Sequence, residues 1–231
     1  KVTAPRTGGA GLPTIAKPAN ENGPESVYEI NYKKVSGIAS CIYPESFKNM
    51  RYTAWLNAKF DGQDYRRQVS MVIASGDPLG VQLLQRKFQP TGDAFNNSEN
   101  NWYVLRFADL VLLLAEVENE KNGPTPLALS AINAIRTRAR RADGVERAVP
   151  ANYTTAQASS KDALRLLIEK ERILELCGEG QNYYDFIRTD RVKAIMTEQG
   201  RGANYNPDRE IFPIPQTQIN LSQGLLKNEG Y

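Results

Sequence analysis

Two glutamates lie at a spacing that carboxylate chemistry could use. Glu171 and Glu175 are four residues apart in a segment with helical periodicity, so one face of the predicted helix carries both side chains. A glycosidase would need two such groups about 5–9.5 Å apart across a cleft. Neighbours on a crowded helix face seldom flank a substrate, and acidic and basic residues near a core are usually paired with each other. We therefore predict that these carboxylates are structural and that the chain has no catalytic residue.

The absence of histidine from the 231 residues narrows the possible chemistry further. Histidine is the commonest general base and the commonest zinc ligand. The two cysteines, Cys41 and Cys177, have no partner at metal-ligand spacing and are either free thiols or one long-range disulfide. Asp93 and Glu99 match no recognised calcium-binding spacing. The sequence therefore predicts no metal site and no cofactor.

A dense group of aromatic residues between positions 36 and 67 offers a different kind of chemistry. Sugars present weakly polar C–H faces, and a flat aromatic ring on a loop stacks on them with little conformational entropy to lose. The candidates for ligand binding, with Tyr43 and Trp55 favoured, are Tyr43, Phe47, Tyr52 and Trp55. The alternative is that the same rings form the core of this region. The sequence leaves both interpretations open.

The charge distribution and the hydropathy of the chain argue against two classes of partner. Its 29 basic and 26 acidic residues give a net charge of +3 and are spread along the sequence, so no basic run indicates nucleic-acid binding. The longest apolar run, residues 110–115, is far shorter than the ~20 residues of a membrane-spanning helix. Residues 1–11 contain no apolar stretch of signal-peptide type, so an export signal would lie upstream or have been removed.

Loops are predicted to dominate the N-terminal part of the chain. Residues 1–24 are rich in Pro, Gly, Ala and Asn, a composition that cannot bury enough surface to become ordered alone. Residues 26–32 alternate in the pattern of a half-buried strand, and a short helix is predicted near residues 55–60. Residues 75–101, rich in Gly, Pro and Asn, are predicted to form a long loop.

Two helices packed as a hairpin are predicted next. The first starts at Trp102, is apolar nearly all round and should therefore be buried, and ends at Asn122-Gly123-Pro124. The second carries small and apolar residues at helical spacing over residues 128–139. Trp102 and Tyr103 are weaker candidates for the rim of a ligand pocket, because packing at a helix start is the commoner role for such residues.

A third helix and a shorter fourth helix are predicted toward the C-terminus. Ser159 followed by Asp162 indicates a helix start, and Gly178-Glu179-Gly180 indicates its end. Residues 183–188 are predicted to form a short helix. A long helix beyond them is excluded by three prolines, Pro207, Pro213 and Pro215.

Three segments carry motifs whose order along the chain is specific. Residues 106–116 show an Arg-aromatic-Ala-acidic pattern, residues 171–188 combine Glu-Arg, Glu-Leu, Glu-Gly and Asp-Phe-Ile-Arg, and residues 212–231 contain Pro-Ile-Pro and end in Asn-Glu-Gly-Tyr. In these features the chain resembles the SusD/RagB family. It departs from the family pattern at Asn182, where a basic residue is usual, and at Glu229, where proline is usual. The charged motif residues are predicted to be paired ions: Arg106, Asp109, Glu171, Arg172, Glu175, Asp185 and Arg188.

This resemblance implies a mainly α fold, a tetratricopeptide-like helical scaffold with long irregular loops and a few short strands. It also implies two regions. Residues 1–101 would be the loop-rich variable region with the candidate ligand-binding loops, and residues 102–231 the helical C-terminal region. Family members have an additional N-terminal half with a lipidated cysteine, so we expect this chain to be truncated at its N-terminus.

The functional expectation likewise follows from the resemblance. It implies non-catalytic binding of nutrient glycans at the outer-membrane surface of a Bacteroidetes-type bacterium and their delivery to a SusC-like TonB-dependent transporter. Membrane contact would occur only through a lipid anchor absent from this chain. The alternatives are a tetratricopeptide-like scaffold for protein–protein interaction, and capture of peptides instead of glycans. The family resemblance does not identify the ligand.

Overall fold

The computed structural model describes residues 22–32, 51–74, 82–85, 87, 101–141 and 144–228. These residues are mainly helical, which confirms the predicted fold class. Their elements are β1 (Ser26–Ile30), α1 (Ala54–Lys59), α2 (Tyr65–Ser70), β2 (Met71–Ala74), β3 (Gln82–Gln85), β4 (Trp102–Arg106), α3 (Phe107–Asn122), α4 (Pro126–Arg140), α5 (Lys161–Glu175), α6 (Gln181–Arg188), α7 (Val192–Glu198) and α8 (Gln216–Leu221). The chain divides into a first unit, Lys1–Gly180, and a second, Gln181–Tyr231. The division predicted at residue 101 is a different one, because it separates the region with the candidate ligand-binding loops from the helical region. It stays a prediction.

The strand predicted near residues 26–32 is confirmed as β1, and its antiparallel partner is β4. The prediction of a helix from Trp102 was wrong, because residues 102–106 are extended and α3 begins only at Phe107. Trp, Tyr and Val favour a pleated strand, and here their backbone pairs with β1. The N–H of Phe107 then donates to the carbonyl of Glu25 at 2.8 Å, so the sheet ends where the helix starts.

Polar contacts hold one side of β1. Glu29 is buried, whereas Tyr28 and its apolar neighbours are exposed. The Glu29 carboxylate accepts hydrogen bonds from the backbone N–H of Asn22 at 3.1 Å and from Nδ2 of Asn101 at 2.9 Å. These bonds satisfy a carboxylate that would otherwise be costly to bury.

Short helices with side-chain caps make up residues 51–74. The hydroxyl of Thr53 accepts from the N–H of Leu56 at 3.2 Å and starts α1, which confirms the short helix predicted there. The carboxylate of Asp64 accepts from the N–H of Arg66 at 3.0 Å and starts α2. Strand β2 follows directly and pairs antiparallel with β3, which lies within the predicted long loop.

The core of the first unit lies between α3, α4 and α5. Gly123, with φ of 80°, ends α3 as predicted, and the hydroxyl of Thr125 caps α4 by accepting from the N–H of Ala128 at 3.3 Å. Such a short connection places the two helices antiparallel, as in the predicted hairpin. Their seam is built mainly from small and β-branched residues. Together with Leu164 and Ile168 of α5, the buried core residues include Ala108, Val111, Leu112, Ala115, Ala128, Ala131, Ile132 and Ile135.

Helix α5 confirms the third predicted helix with a small shift at its start. The capping residue is Ser160 instead of Ser159, and its hydroxyl accepts from the N–H of Ala163 at 3.1 Å. Asp162 lies in the first turn, where its charge favours the helix dipole. Gly178 and Gly180 adopt φ of 78° and 85°, which explains the predicted stop.

Only one face of α3 is buried, which corrects the prediction that the whole helix is buried. Leu112 is 0% exposed, whereas Leu114 is 38% and Val117 is 62% exposed. Leu110, Leu114 and Val117 follow one another at helical spacing on the side opposite the core. The described residues of the first unit therefore leave an apolar stripe on α3 open to solvent.

The second unit consists of short helices separated by turns. Among its described residues, the buried apolar ones are Val192 and Ile195 of α7, and the predicted short helix at 183–188 is confirmed within α6. The side chain of Asn228 joins the C-terminal residues to Ile214: it accepts a hydrogen bond from the N–H of Ile214 at 2.8 Å and donates one to the carbonyl of Ile214 at 2.9 Å. None of the helices in the described ranges combines the length and apolar composition needed to cross a membrane.

Exposed apolar residues in each unit lead to a first testable prediction. Besides the stripe on α3, Phe212 and Leu225 of the second unit are 87% and 89% exposed. We expect purified residues 1–231 to self-associate, to bind the dye ANS and to unfold with poor cooperativity, because large exposed apolar patches favour association. Analytical ultracentrifugation, ANS fluorescence and a thermal melt measure these properties. A clean monomer with a sharp, reversible two-state melt would contradict the prediction.

Candidate functional site

Three glutamates follow each other at four-residue intervals at the end of α5. Glu171 and Glu175 lie on the helix, and Glu179 lies in the turn after it. The first two are fully buried and the third nearly so. Spacing of four residues places Glu171 and Glu175 on one face of α5, and with Glu179 they form a row of negative charge buried in the first unit.

Two arginines neutralise Glu171. Nη1 of Arg66 lies 2.5 Å from its Oε1, and Nη1 of Arg136 lies 2.5 Å from its Oε2. Arg66 itself is fully buried, and its Nη2 also donates to Oδ2 of Asp64 at 2.8 Å. One guanidinium from α2 and one from α4 thus meet the same carboxylate of α5.

Three arginines surround Glu175. Nη1 of Arg106 lies 2.8 Å from its Oε1, which also pairs with Nη2 of Arg138, and Nη1 of Arg66 lies 3.4 Å from its Oε2. Burial alone would raise the pKa of Glu175, but the charges of Arg138 and Arg106 outweigh it and hold the pKa well below its usual range. Glu175 is therefore ionised at neutral pH.

Glu179 closes the row. Its carboxylate accepts from Nε of Arg106 at 2.6 Å and pairs with the ammonium group of Lys87. Lys87 also donates to the carbonyls of Glu175 at 2.8 Å and Cys177 at 3.2 Å, so each of its three N–H bonds has an acceptor. Burial opposes ionisation of Glu179, but Arg106 and Lys87 together lower its pKa.

Counted over the described residues, the charges of this cluster, which we call the buried ion network, balance. Its five cations and five anions are Arg66, Lys87, Arg106, Arg136, Arg138, Glu25, Asp64, Glu171, Glu175 and Glu179. Such a cluster is stable only when every charge is paired. The predicted pairing of the motif residues is confirmed, with separate pairs joining Arg172 to Asp109 at 2.7 Å and Arg188 to Asp185 at 2.8 Å. Because Glu171 and Glu175 are buried and paired, they do not form a glycosidase pair.

Two of the four candidate ligand-binding residues, Tyr52 and Trp55, belong to the described part of the chain, and their environments differ. Tyr43 and Phe47 fall outside the described residues. Trp55 is half-buried on α1, and Nζ of Lys59 lies 4.6 Å from the centre of its ring. Tyr52 points its hydroxyl toward Cys177, and burial, with the nearby Cys177 thiol and Glu179 carboxylate, raises the pKa of Tyr52 well above its usual range. Trp55 thus keeps part of its surface exposed, whereas the Tyr52 hydroxyl is buried near Cys177, and the ligand-binding role of all four residues stays a prediction.

Cys177 is a free thiol, and Cys41 lies outside the described residues. Burial raises the pKa of Cys177, and the charge of Lys87 and the nearby Tyr52 hydroxyl oppose this rise. A protonated, buried thiol is unreactive. In the described part of the chain, no group of three or more His, Cys, Asp or Glu residues has the arrangement of a metal site.

Sequence reasoning did not find Arg66 and Lys87. Each stands alone in an unremarkable segment, and their partners lie 105 and 92 positions away in the chain, at Glu171 and Glu179. No local periodicity signals a contact at that separation. The only hint is Asp64, an acidic residue two positions before Arg66 at a helix start.

Comparison with known proteins gives consistent matches. The model of the SusD family matches residues 81–231. SusD-like protein P38 of Formosa agariphila is 31% identical over 171 residues, which cover 74% of this chain and 32% of that protein. SusD-like protein P2 of the same organism is 27% identical over 196 residues, which cover 74% of this chain and 38% of that protein. The chain thus spans about a third of the length of these curated relatives.

Solved structures share the fold. Surface glycan-binding protein A from Bacteroides thetaiotaomicron superposes with a TM-score of 0.70 at 21% identity, covering 96% of this chain and 55% of that one. A structure of a protein of that name and organism in complex with laminarihexaose gives a TM-score of 0.65 at 20% identity, covering 96% and 55%. A structure described as a laminarin-binding SusD-like protein gives 0.65 at 23% identity, covering 92% and 51%.

Proposed function

This chain belongs to the SusD family, and on that basis we propose that it contributes to a non-catalytic protein that binds nutrient glycans. The observation that supports this most directly is the family match over residues 81–231, which includes α3, α4, α5 and the glutamate row. Among solved structures of the same fold, one holds laminarihexaose and another is described as laminarin binding. The class of ligand we propose is therefore an oligosaccharide.

Of the two candidates within the described residues, Trp55 fits a sugar-stacking role better than Tyr52. It lies on α1 with part of its surface exposed, while Leu56 and Phe60, at the same helix, are buried. The buried neighbours hold the helix in place, so the indole ring is presented from a fixed backbone. A fixed aromatic ring loses little entropy on binding. Tyr43 remains a second candidate, with Phe47 and Tyr52 ranked below it.

The proposal extends to the setting in which this protein works. We place it at the outer-membrane surface as a lipoprotein, where it would pass its ligand to a SusC-like TonB-dependent transporter. Family membership supports both statements. A pull-down of the tagged protein from its native outer membrane, followed by identification of the co-purified transporter, tests the partnership. Recovery without any TonB-dependent transporter would count against it.

A second candidate function is protein–protein interaction through the helical scaffold, with peptide capture as a further variant. The observation that favours a scaffold is the exposed stripe formed by Leu110, Leu114 and Val117 on α3. The two functions are compatible, because the stripe and Trp55 lie on different elements. A scaffold without glycan-binding function would bind none of a panel of plant, host and microbial glycans.

Replacing Trp55 by Ala gives the direct test. We expect binding of the best glycan from that panel, which includes laminarihexaose, to weaken about tenfold, a loss of ~1.4 kcal/mol of binding free energy. The melting temperature should hardly change, because the ring is not part of the core. Calorimetric titration and a thermal melt of the same sample measure both quantities.

Phe60→Ala is the matched control. Phe60 is an aromatic residue at the end of the same helix but is buried, so its truncation should cost stability, about 3–5 kcal/mol. Unchanged affinity of Trp55→Ala together with a large drop in melting temperature would assign Trp55 to the core. A reducing-sugar assay on the same glycan panel tests the claim that the protein is non-catalytic. The claim would be overturned if the protein released product from a glycan and a carboxylate variant did not.

A further inference from the structure

We propose that Arg66 and Lys87 are positioning residues for the glycan site, because they fix the segment that carries Trp55 to the end of α5. We call residues 51–74 the Trp55 segment. The inference rests on the proposed role of Trp55 in ligand binding. It adds to that role the residues that hold the ring in place, which neither the motifs nor the family match indicates.

The Trp55 segment has little local means of fixing its own position. Helices α1 and α2 have six residues each, far below the length at which isolated helices are stable. Contacts with the rest of the first unit must therefore determine where they lie. Apolar contacts join Val69 and Tyr65 of α2 to Tyr103 and Trp102 of β4. The described ion pairs of Arg66, and of Lys87 just beyond the segment, converge on the end of α5, from Glu171 to Glu179.

Arg66 is the central contact. Its guanidinium donates from Nε to Oδ1 of Asp64 at 3.1 Å, from Nη2 to Oδ2 at 2.8 Å, and from Nη1 to Oε1 of Glu171 at 2.5 Å. The Asp64 carboxylate also caps α2. One side chain thus starts the helix and orients the arginine, which fixes α2 against α5 in both position and direction. The planar fork of arginine suits this geometry, and lysine cannot reproduce it.

Lys87 provides a second contact beyond the β2–β3 pair. Its ammonium group reaches Glu179 and two backbone carbonyls in the turn that ends α5. Tyr52, at the beginning of the Trp55 segment, approaches the same turn at Cys177. Tyr52 at the start of the Trp55 segment, Arg66 within it and Lys87 just beyond its end therefore all contact the end of α5 or the turn after it.

A short path connects Arg66 to Trp55. The next residue, Arg67, donates from Nε to Oδ1 of Asn57 on α1 at 2.8 Å, and Asn57 lies two positions after Trp55. Fixing α2 therefore also fixes α1. Loss of the Arg66 pairs should loosen α1 and let the indole ring sample positions that do not match a sugar.

The test uses the fluorescence of Trp55. The chain has two tryptophans, so Trp102→Phe leaves Trp55 as the single reporter, and this background supplies the reference for every measurement. We expect Arg66→Met to raise acrylamide quenching of Trp55 about twofold, because local opening exposes a residue whose segment has lost its tertiary contacts. Its fluorescence anisotropy should fall, and affinity for laminarihexaose should drop about tenfold, ~1.4 kcal/mol.

Arg172→Met is the matched control. Arg172 is also buried and paired, with Asp109 of α3, and neither residue of that ion pair belongs to the Trp55 segment. It should lower the melting temperature without changing the quenching of Trp55. Equal quenching of Trp55 in the Arg66 and Arg172 variants would overturn the proposal, since Arg66 would then be a structural residue like any other.

Two further variants keep the outcomes separate. If Arg66→Met does not fold, Arg67→Met breaks only the link to Asn57 and should still raise the quenching of Trp55; an unchanged signal would overturn the proposal. Lys87→Met should give a smaller rise than Arg66→Met. If Trp55→Ala leaves glycan affinity unchanged, the proposed function of Trp55 fails, whereas the quenching series still decides whether Arg66 positions the ring.

Discussion

Replacing Glu175 by Gln should destabilise the protein by about 3–5 kcal/mol, because the substitution leaves buried arginines without their countercharge. Glu175 is fully buried and meets Arg106, Arg138 and Arg66. Glutamine has nearly the same shape, so the loss reports on charge and not on packing. Urea denaturation of both proteins, followed by circular dichroism, measures the difference in the free energy of unfolding.

Glu120→Gln is the control for this prediction. Glu120 also meets two cations, Lys161 and Arg165, but all three side chains are about two-fifths exposed. Solvent screens such pairs, and the expected loss is below about 1 kcal/mol. Similar losses for Glu120→Gln and Glu175→Gln would show that the buried ion network contributes no more than a surface ion pair.

The pH dependence of the free energy of unfolding gives an independent test of the ionisation of Glu175. Its folded-state pKa lies below that of an unfolded glutamate, ~4.3, so the ionised form is favoured by folding. The stabilisation is therefore complete above the unfolded pKa and is lost as the pH falls toward the folded pKa. Between about pH 5 and pH 3 the wild type should lose more stability than Glu175→Gln. Parallel curves would contradict the lowered pKa.

Leu112→Ala should cost about 2–5 kcal/mol, and Leu114→Ala less than about 1 kcal/mol, although the two leucines are two positions apart on α3. Leu112 is fully buried between α3, α4 and α5, so truncation leaves a cavity. Leu114 belongs to the exposed stripe and makes no comparable contacts. The same urea titration measures both variants.

The Leu114 variant also tests the exposed stripe. If Leu110, Leu114 and Val117 drive self-association, Leu114→Ala should reduce ANS binding and the sedimentation coefficient at high concentration while the fold stays intact. Equal destabilisation by the two leucine variants would mean that a partner surface covers the stripe in solution. Such a result would favour the scaffold function.

Much of the helical part was predictable because its signals are local. Gly123 ends α3, the Gly178 and Gly180 turn ends α5, and the prolines keep the C-terminal helices short. Each effect depends on the conformational preference of a residue within one helical turn. The family resemblance was equally readable, because its motifs lie in contiguous segments.

Predictions failed where a distant segment decides the outcome. Residues 102–106 have enough apolar residues for a helix, but pairing with β1, more than seventy residues earlier, makes them a strand. The apolar residues all round α3 suggested complete burial, yet α4 and α5 cover only one side. The amino-acid composition of a helix does not indicate which of its sides packs against another element.

The amino-acid sequence alone indicates which residues bear charge and that the chain resembles SusD-like proteins, and it predicts that the motif ions are paired. The tertiary structure alone decided which charges meet. Arg66 and Lys87 reach the glutamate row across roughly ninety to one hundred positions of chain. The physical reason is that a buried charge must find a countercharge wherever the fold supplies one, and no periodicity of the chain encodes that partner.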